Sequence, residues 1–203
     1  MSQTTPRPAR QLVLASTSPY RRQLLERLRL PFESVAPDYC EQNEEGAAPR
    51  ALVLRQAEGK ARSIAARFPR ALIIGCDQAG WLDGRLLVKP GTHARAAEQL
   101  RAMSAKTHAF YTGVVLLDAA TDRLLRHCDE TFGTLRALST AEIDSYLRLD
   151  QPFDCAGSLK FESLGAALFR ELRTTDPTAI IGLPLIALCE MLRSFGVDAL
   201  DSL

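Results

Sequence analysis

The sequence predicts a single α/β domain built on a mixed sheet. Three observations point there. Apolar runs of strand length, at residues 12–15 and 71–76, alternate with stretches of helical periodicity. Two hairpin-like pairs, within residues 79–88 and 107–138, interrupt that alternation and favour a mixed sheet over a purely parallel one. The chain has 203 residues, 46% of them hydrophobic, which is enough for a sizeable core in one domain.

In chain order, residues 1–10 carry Pro6 and Pro8, lack an apolar run and read as a disordered lead-in, with 11–203 as the folded domain. Leu12, Val13, Leu14 and Ala15 form a buried strand. The turn Ser16-Thr17-Ser18 follows. Pro19 suits the first helical position, where its missing N–H would be unpaired anyway, and Leu24, Leu25 and Leu28 give the helix an apolar stripe. A helix that starts at a strand's carboxyl end, with free N–H groups, hydroxyls, Arg21 and Arg22 at its mouth, has the makings of an anion site. An ordinary turn with solvated arginines explains the same residues.

Residues 31–36 read as a short strand ended by Pro37, and 38–50 as a polar loop containing Glu41, Glu44 and Glu45. Leu52, Leu54, Ala57, Ala61, Ile64 and Ala65 mark a helix over 51–67, with Pro49 ahead of it and Pro69 stopping it. The near-continuous apolar run of 71–78 predicts a strand covered on both faces, ending at Asp77 and Gln78. Asp83-Gly84 signals a hairpin between 79–82 and 85–88, closed by Lys89-Pro90. Next come a helix over 93–103, a long strand over 107–118 and another strand within 124–138. Ser139, with Glu142 three residues on, is a capping box for a helix to about Leu149. Residues 152–159 make a turn, 164–172 a strand or irregular stretch, Asp176-Pro177 a turn, and 183–194 the last helix, ended by Gly196.

Lysine and arginine number 25 against 24 acidic residues, and a net charge of +1 gives no electrostatic case for nucleic acid or an anionic membrane as partner. No apolar run approaches the roughly 20 residues that span a bilayer, and the first ten residues lack the apolar stretch of a secretory signal. The five cysteines (Cys40, Cys76, Cys128, Cys155, Cys189) form no C-x-x-C pair and are odd in number. Reduced thiols in a cytoplasmic protein fit better than a disulfide framework or a zinc site. Core packing is the expected role of Cys155 and Cys189.

The phosphate-loop, dinucleotide, nucleophile-elbow and zinc-protease motifs are all absent, and His93, His108 and His127 are scattered. What remains is charge at the ends of apolar strands. Ligands of open α/β sheets bind outside the carboxyl ends of strands, and Ser16 and Asp77 share that end if their strands run parallel. A carboxylate set directly on a buried strand, as Asp77 is, is costly unless used. Arg21, Lys60 and Lys89 would neutralise a polyphosphate. Glu41 and Asp77 would hold a hard divalent cation through oxygen. Glu162 would accept hydrogen bonds from a base. Taken singly, each of the other charges is explained equally well as a solvated or ion-paired residue.

Together these residues carry a resemblance. The chain resembles the Maf family of nucleotide pyrophosphatases over almost its whole length after Arg10. The matching pieces are the run from Leu14 to Arg22, Leu54-Arg55-Gln56-Ala57 with Lys60-Ala61, Gly75-Cys76-Asp77-Gln78, Lys89-Pro90, Tyr111-Thr112-Gly113, Cys155-Ala156-Gly157-Ser158 with Lys160 and Glu162, and Ile181-Gly182-Leu183-Pro184-Leu185. Tyr20, the Asp-Gln pair, the Cys-Ala-Gly-Ser run and Glu162 look like the branch acting on 7-methyl-GTP; the dTTP/UTP branch typically has arginine at the position of Tyr20.

The resemblance implies a twisted sheet with two lobes and a cleft, related to the inosine triphosphatase fold. It implies hydrolysis of a small-molecule nucleotide, 7-methyl-GTP, to the monophosphate and diphosphate with a divalent metal, Mg or Mn, and it allows a homodimer. Asp77 is then the proton acceptor. Tyr20, Gln78 and Glu162 set substrate choice, Ser16, Arg21, Lys60 and Lys89 bind phosphates, and Glu41 and Asp77 hold the metal. A dTTP/UTP pyrophosphatase, or a nucleotide-binding regulator of cell division with little catalysis, is the alternative. The chain departs from the family pattern at Cys40, which stands where an acidic residue is usual, and at Ala105, in place of glycine in a turn. Phe161 and Ser163 flank Glu162 where smaller residues are common, a change expected to reshape the base pocket.

Overall fold

A mixed sheet organises the chain. The computed structural model describes residues 10–42 and 47–201. Residues 1–9 of the expected lead-in, and Glu44 and Glu45, lie outside them. Arg10, placed in that lead-in, instead belongs to the fold, where its guanidinium is ion-paired with Asp118.

The strands are β1 (Leu12–Ala15), β2 (Glu33–Val35), β3 (Leu72–Leu82), β4 (Arg85–Leu87), β5 (Thr107–Asp118), β6 (Leu124–Leu135) and β7 (Phe169–Arg173), in the order β2-β1-β3-β5-β6-β7 with β4 also on β3. β2, β1 and β3 run parallel; the β3–β4, β3–β5, β5–β6 and β6–β7 pairs are antiparallel. The helices are α1 (Pro19–Glu26), α2 (Pro49–Ser63), α3 (His93–Met103), α4 (Thr140–Asp150) and α5 (Leu185–Arg193). The mixed sheet is as predicted. The strand expected over 71–78 and the first hairpin strand are one continuous element, β3, because β5 pairs with it unbroken from Leu72 to Trp81. α2 begins two residues earlier than its apolar stripe, with Pro49 as a first-turn residue, and its expected last turn is a separate 3-10 turn at Ala65–Arg67.

Two cores define two lobes. In the first, successive residues of β1 and β3 point to opposite faces. Leu12, Leu14, Leu72 and Ile74 pack with α1 and α5, while Val13, Ala15 and Ile73 pack under α2 with Ala57 and Ala61. In the second, Leu82, Phe110 and Leu135 pack under α3 and α4 with Leu100, Met103, Ile143 and Leu147. The long strands β3, β5 and β6 run through both. Ser139 and Glu142 make the expected capping box at the start of α4.

The sheet has an interruption. β1 pairs with β3 only as far as Ala15 opposite Gly75, and β4 pairs only from Gly80 onward. Along residues 76–79 that edge of β3 has no partner strand among the described residues. The gap opens where the chain leaves β1 for α1, between the lobes.

Candidate active site

The cleft at this gap has a volume of about 440 Å³. Its walls come from the β1–α1 turn, the 37–41 loop, α2, β3, the segment after β4, residues 154–162 and residues 180–182. Ser16, Tyr20, Arg21, Glu41, Lys60, Gln78, Lys89 and Glu162 all line it. Asp77 does not form part of the wall: it is buried behind Lys60.

The close approach of α2 makes this geometry possible. A side chain on Gly113, which pairs with Asp77 across the sheet, would sit 2.8 Å from the Val53 carbonyl, and one on Gly75 would collide with the Ala57 carbonyl. Without side chains at both positions, α2 lies directly on the sheet and Lys60 reaches Asp77. Lys60 Nζ donates to Asp77 Oδ1 at 2.5 Å and is ion-paired with Glu41 Oε1 at 2.6 Å. The Glu41 loop is tied down twice: Tyr39 packs its ring on Gly59 of α2, and Gln56 Nε2 donates to Gln42 O at 2.7 Å.

The two carboxylates that share this ammonium differ in basicity. Burial pushes the Asp77 carboxyl above its ordinary range, and Lys60 and Arg21 hold it back. Partial burial acts the same way on Glu41, but Lys60, Lys89 and Arg21 bring it below its usual range. Their environments thus separate two neighbouring carboxyls: Asp77 is held as the more basic of the two and Glu41 as the less basic.

The β1–α1 turn forms the other side of this end. Ser18 caps α1, its hydroxyl accepting from Arg21 N, and Ser16 Oγ accepts from Ser18 N at 3.1 Å. Arg21 Nε donates to Gly182 O at 3.0 Å, which leaves the guanidinium's terminal nitrogens for the cleft. Gln78 Nε2 lies within 3.0 Å of three acceptors, Thr112 Oγ1 and the carbonyls of Ala179 and Ile180. Its amide orientation is thereby set, and its carbonyl oxygen is the end presented to a ligand.

The far end of the cleft is different. Tyr20, Asp154, Cys155, Leu159 and Glu162 line it. The Tyr20 hydroxyl donates to the Cys155 sulfur, and burial together with the nearby acidic groups raises its pKa. Cys155, expected in the core, is on the cleft wall; burial pushes its thiol up to about 12, so it is neutral and no nucleophile. Burial also raises the Glu162 carboxyl. The Lys160 ammonium lies over the Tyr20 ring, 5.7 Å from its centre. Phe161 and Ser163, which flank Glu162, are not themselves on the cleft wall. Phe161 packs edge-on to Phe169 in the second core and Ser163 Oγ donates to Asp150 Oδ1 at 2.5 Å. Cys40 is exposed.

Sequence reasoning missed Tyr39, Asp154, Cys155 and Gly182 as parts of the site. A glycine inside a helical pattern was the available signal for Tyr39: Gly59 is the place where its ring lands.

Fold and site together define an α/β protein with a cleft between two lobes, lined by basic, acidic and aromatic side chains. The chain belongs to the Maf family: the family model for Maf-like proteins matches residues 11–195. A protein of Cupriavidus pinatubonensis named 7-methyl-GTP pyrophosphatase is 51% identical over 192 residues, covering 95% of this chain and 96% of that one. A protein of Xanthomonas axonopodis pv. citri with the same name is 51% identical over 185 residues, covering 91% and 96%. The Ham1 protein of Staphylococcus aureus, a solved structure, superposes on 62% of this chain and 72% of its own with a TM-score of 0.45 and 13% identity.

Proposed function

We propose that this protein hydrolyses 7-methyl-GTP to 7-methyl-GMP and diphosphate. The carrying observation is the polarity of the cleft. Ser16, Arg21, Lys60 and Lys89 surround one end, and an aromatic ring with carboxylates forms the other. A triphosphate fits the first; a purine bearing a fixed positive charge fits the second, where cation–π attraction is worth roughly 0.5–2 kcal/mol. Gln78 and Glu162 supply acceptors for the N–H groups of the guanine edge.

In the reaction a water oxygen bonds to phosphorus, a bridging P–O bond breaks, and diphosphate leaves with the bond's electron pair. Asp77 takes the water's proton. Its burial suits the role, since a base is most useful when its pKa is raised toward working pH. Lys60 keeps Asp77 ionised until substrate arrives, and Arg21 and Lys89 meet the charge that develops on the phosphates. Glu41 and Asp77 form an all-oxygen donor pair that already converges on one cationic nitrogen. Two carboxylates with substrate phosphates and water suit Mg²⁺ or Mn²⁺, and these two would hold such an ion, which neutralises phosphate charge when bound. The five free thiols support a reducing, cytoplasmic setting. No helix among the described residues is long and apolar enough to cross a membrane. The homodimer stays a family-based proposal, checked by gel filtration.

The test is diphosphate release from 7-methyl-GTP, GTP, dTTP and UTP with Mg²⁺ or Mn²⁺. The wild type is expected to turn over 7-methyl-GTP best, and Asp77→Ala to lose on the order of 10³-fold in kcat. No release from any nucleotide by the wild type would favour the regulator instead. An active Asp77→Ala would remove Asp77 as the base.

A further inference from the structure

The charge balance at the base end of the cleft is incomplete. Among the described residues, neither Asp154 nor Glu162 has an ammonium or guanidinium within ion-pair distance, although Arg21, Lys60 and Lys89 line the same cavity. The polar side-chain contact of Asp154 is a weak one, from Cys155 Sγ to Oδ1 at 3.6 Å. The one cation close by, Lys160, sits instead over the Tyr20 ring. Two carboxylates that line a cavity with no ion pair of their own, only the field of Lys160 reaching Glu162, beside an aromatic ring that already attracts a cation, make a receptacle for positive charge.

We propose that Asp154 is a specificity-determining residue that acts with Glu162 and Tyr20 to read the fixed positive charge of the methylated base, and that Lys160 is the resident cation competing with it. This rests on the reading of the cleft as a 7-methyl-GTP site. Three features support it. Asp154 is on the cleft wall and touches Cys155, the same side chain that the Tyr20 hydroxyl reaches. Its negative field is felt by Tyr20, Cys155 and Glu162 alike, so it acts on the volume those groups enclose. A carboxylate in a triphosphate cleft repels an ordinary nucleotide and is repaid only when the base carries positive charge, which is how attraction and repulsion combine into selectivity.

The experiment measures kcat/KM for 7-methyl-GTP and GTP by diphosphate release in wild type, Asp154→Asn, Asp154→Glu and Lys160→Met. Asp154→Asn should lower the ratio of 7-methyl-GTP to GTP about fivefold, the scale of one partly solvated charge pair. Asp154→Glu should restore it to within about twofold. Lys160→Met should move the ratio the other way, since the competing cation leaves the ring. Residues that only supported the fold would shift both substrates together. An unchanged ratio in Asp154→Asn, equal losses on both substrates, or a lowered ratio in Lys160→Met would overturn the inference. A wild type that prefers 7-methyl-GTP while Asp154→Asn keeps its ratio removes Asp154 alone. A wild type without 7-methyl-GTP hydrolysis removes the underlying reading as well.

Discussion

The two ends of the cleft are built differently. At the phosphate end, three groups stand on regular elements, unlike Glu41 and Lys89 on their loops: Asp77 on β3, Lys60 on α2, Arg21 in the first turn of α1. They are buried or half-buried, and the three charges that meet there are held in one short-range cluster. At the base end, Asp154, Cys155 and Glu162 stand on irregular backbone, and Asp154 and Glu162 face the cavity unpaired. On the proposed function, chemistry that tolerates little displacement is fixed to the sheet, while the choice of base rests on segments that can change without disturbing it. The second lobe holds those segments from behind. Tyr146 Oη accepts from Lys160 N at 3.0 Å, and Asp150 accepts from Ser163, both from α4.

The contrast can be broken most severely at Lys60. Lys60→Met leaves Asp77 buried without its cation, and should cost about 3 kcal/mol of stability together with on the order of 10²-fold in kcat. Denaturant unfolding and diphosphate release read the two losses; a stable, fully active variant would show that the cluster is not the rigid half of the site. Tyr20→Arg should act on selectivity instead. It should lower kcat/KM for 7-methyl-GTP about tenfold more than for UTP, because a guanidinium replaces an aromatic face opposite a cationic base. Equal losses on both nucleotides would count against that pairing.

The second lobe also has a pH signature of its own. His108 is buried against Phe110 and Phe169, neither ring nitrogen has a well-formed hydrogen bond, and burial lowers its pKa to about 4, with the backbone at Lys106 working the other way. The folded pKa lies below the unfolded value of 6.5, so the unfolded chain binds the extra proton between the two. Its contribution is complete above pH 6.5 and is lost as pH falls toward 4, up to about 3 kcal/mol. Urea unfolding across that range should show the slope, and His108→Phe should flatten it. The smallest effect expected is a gain. Ala105 takes the left-handed conformation, φ 57°, after α3, so the turn that glycine would normally make is kept under strain. Ala105→Gly should stabilise by about 0.5–1 kcal/mol, seen as a slightly higher melting temperature.

The regular half of the molecule was legible in the sequence for the same reason that it is rigid. The apolar run at Leu12–Ala15, the Ser18-Pro19 start of α1, the Ser139 and Glu142 box, and a carboxylate on a buried strand are all local signals. The parallel pairing of β1 with β3 then puts Ser16 and Asp77 at one end, as the pattern required. The irregular half was not legible. No periodicity runs through residues 152–168, so only the charge of Glu162 pointed to the cleft there, and Cys155, an apolar thiol, was placed in the core instead of on the wall. The extent of β3 was hidden too, since a strand that changes partners midway leaves no mark at the change.

That change of partners has one more consequence. An unpaired sheet edge is a template for another strand, and proteins protect such edges against aggregation. Here the open stretch spans only residues 76–79, with β1 paired on one side of it and β4 on the other. Strands in globular proteins usually run about five to six residues. An incoming strand would have to end against β1 on one side and β4 on the other, so the gap is blunted as a template for a neighbouring chain.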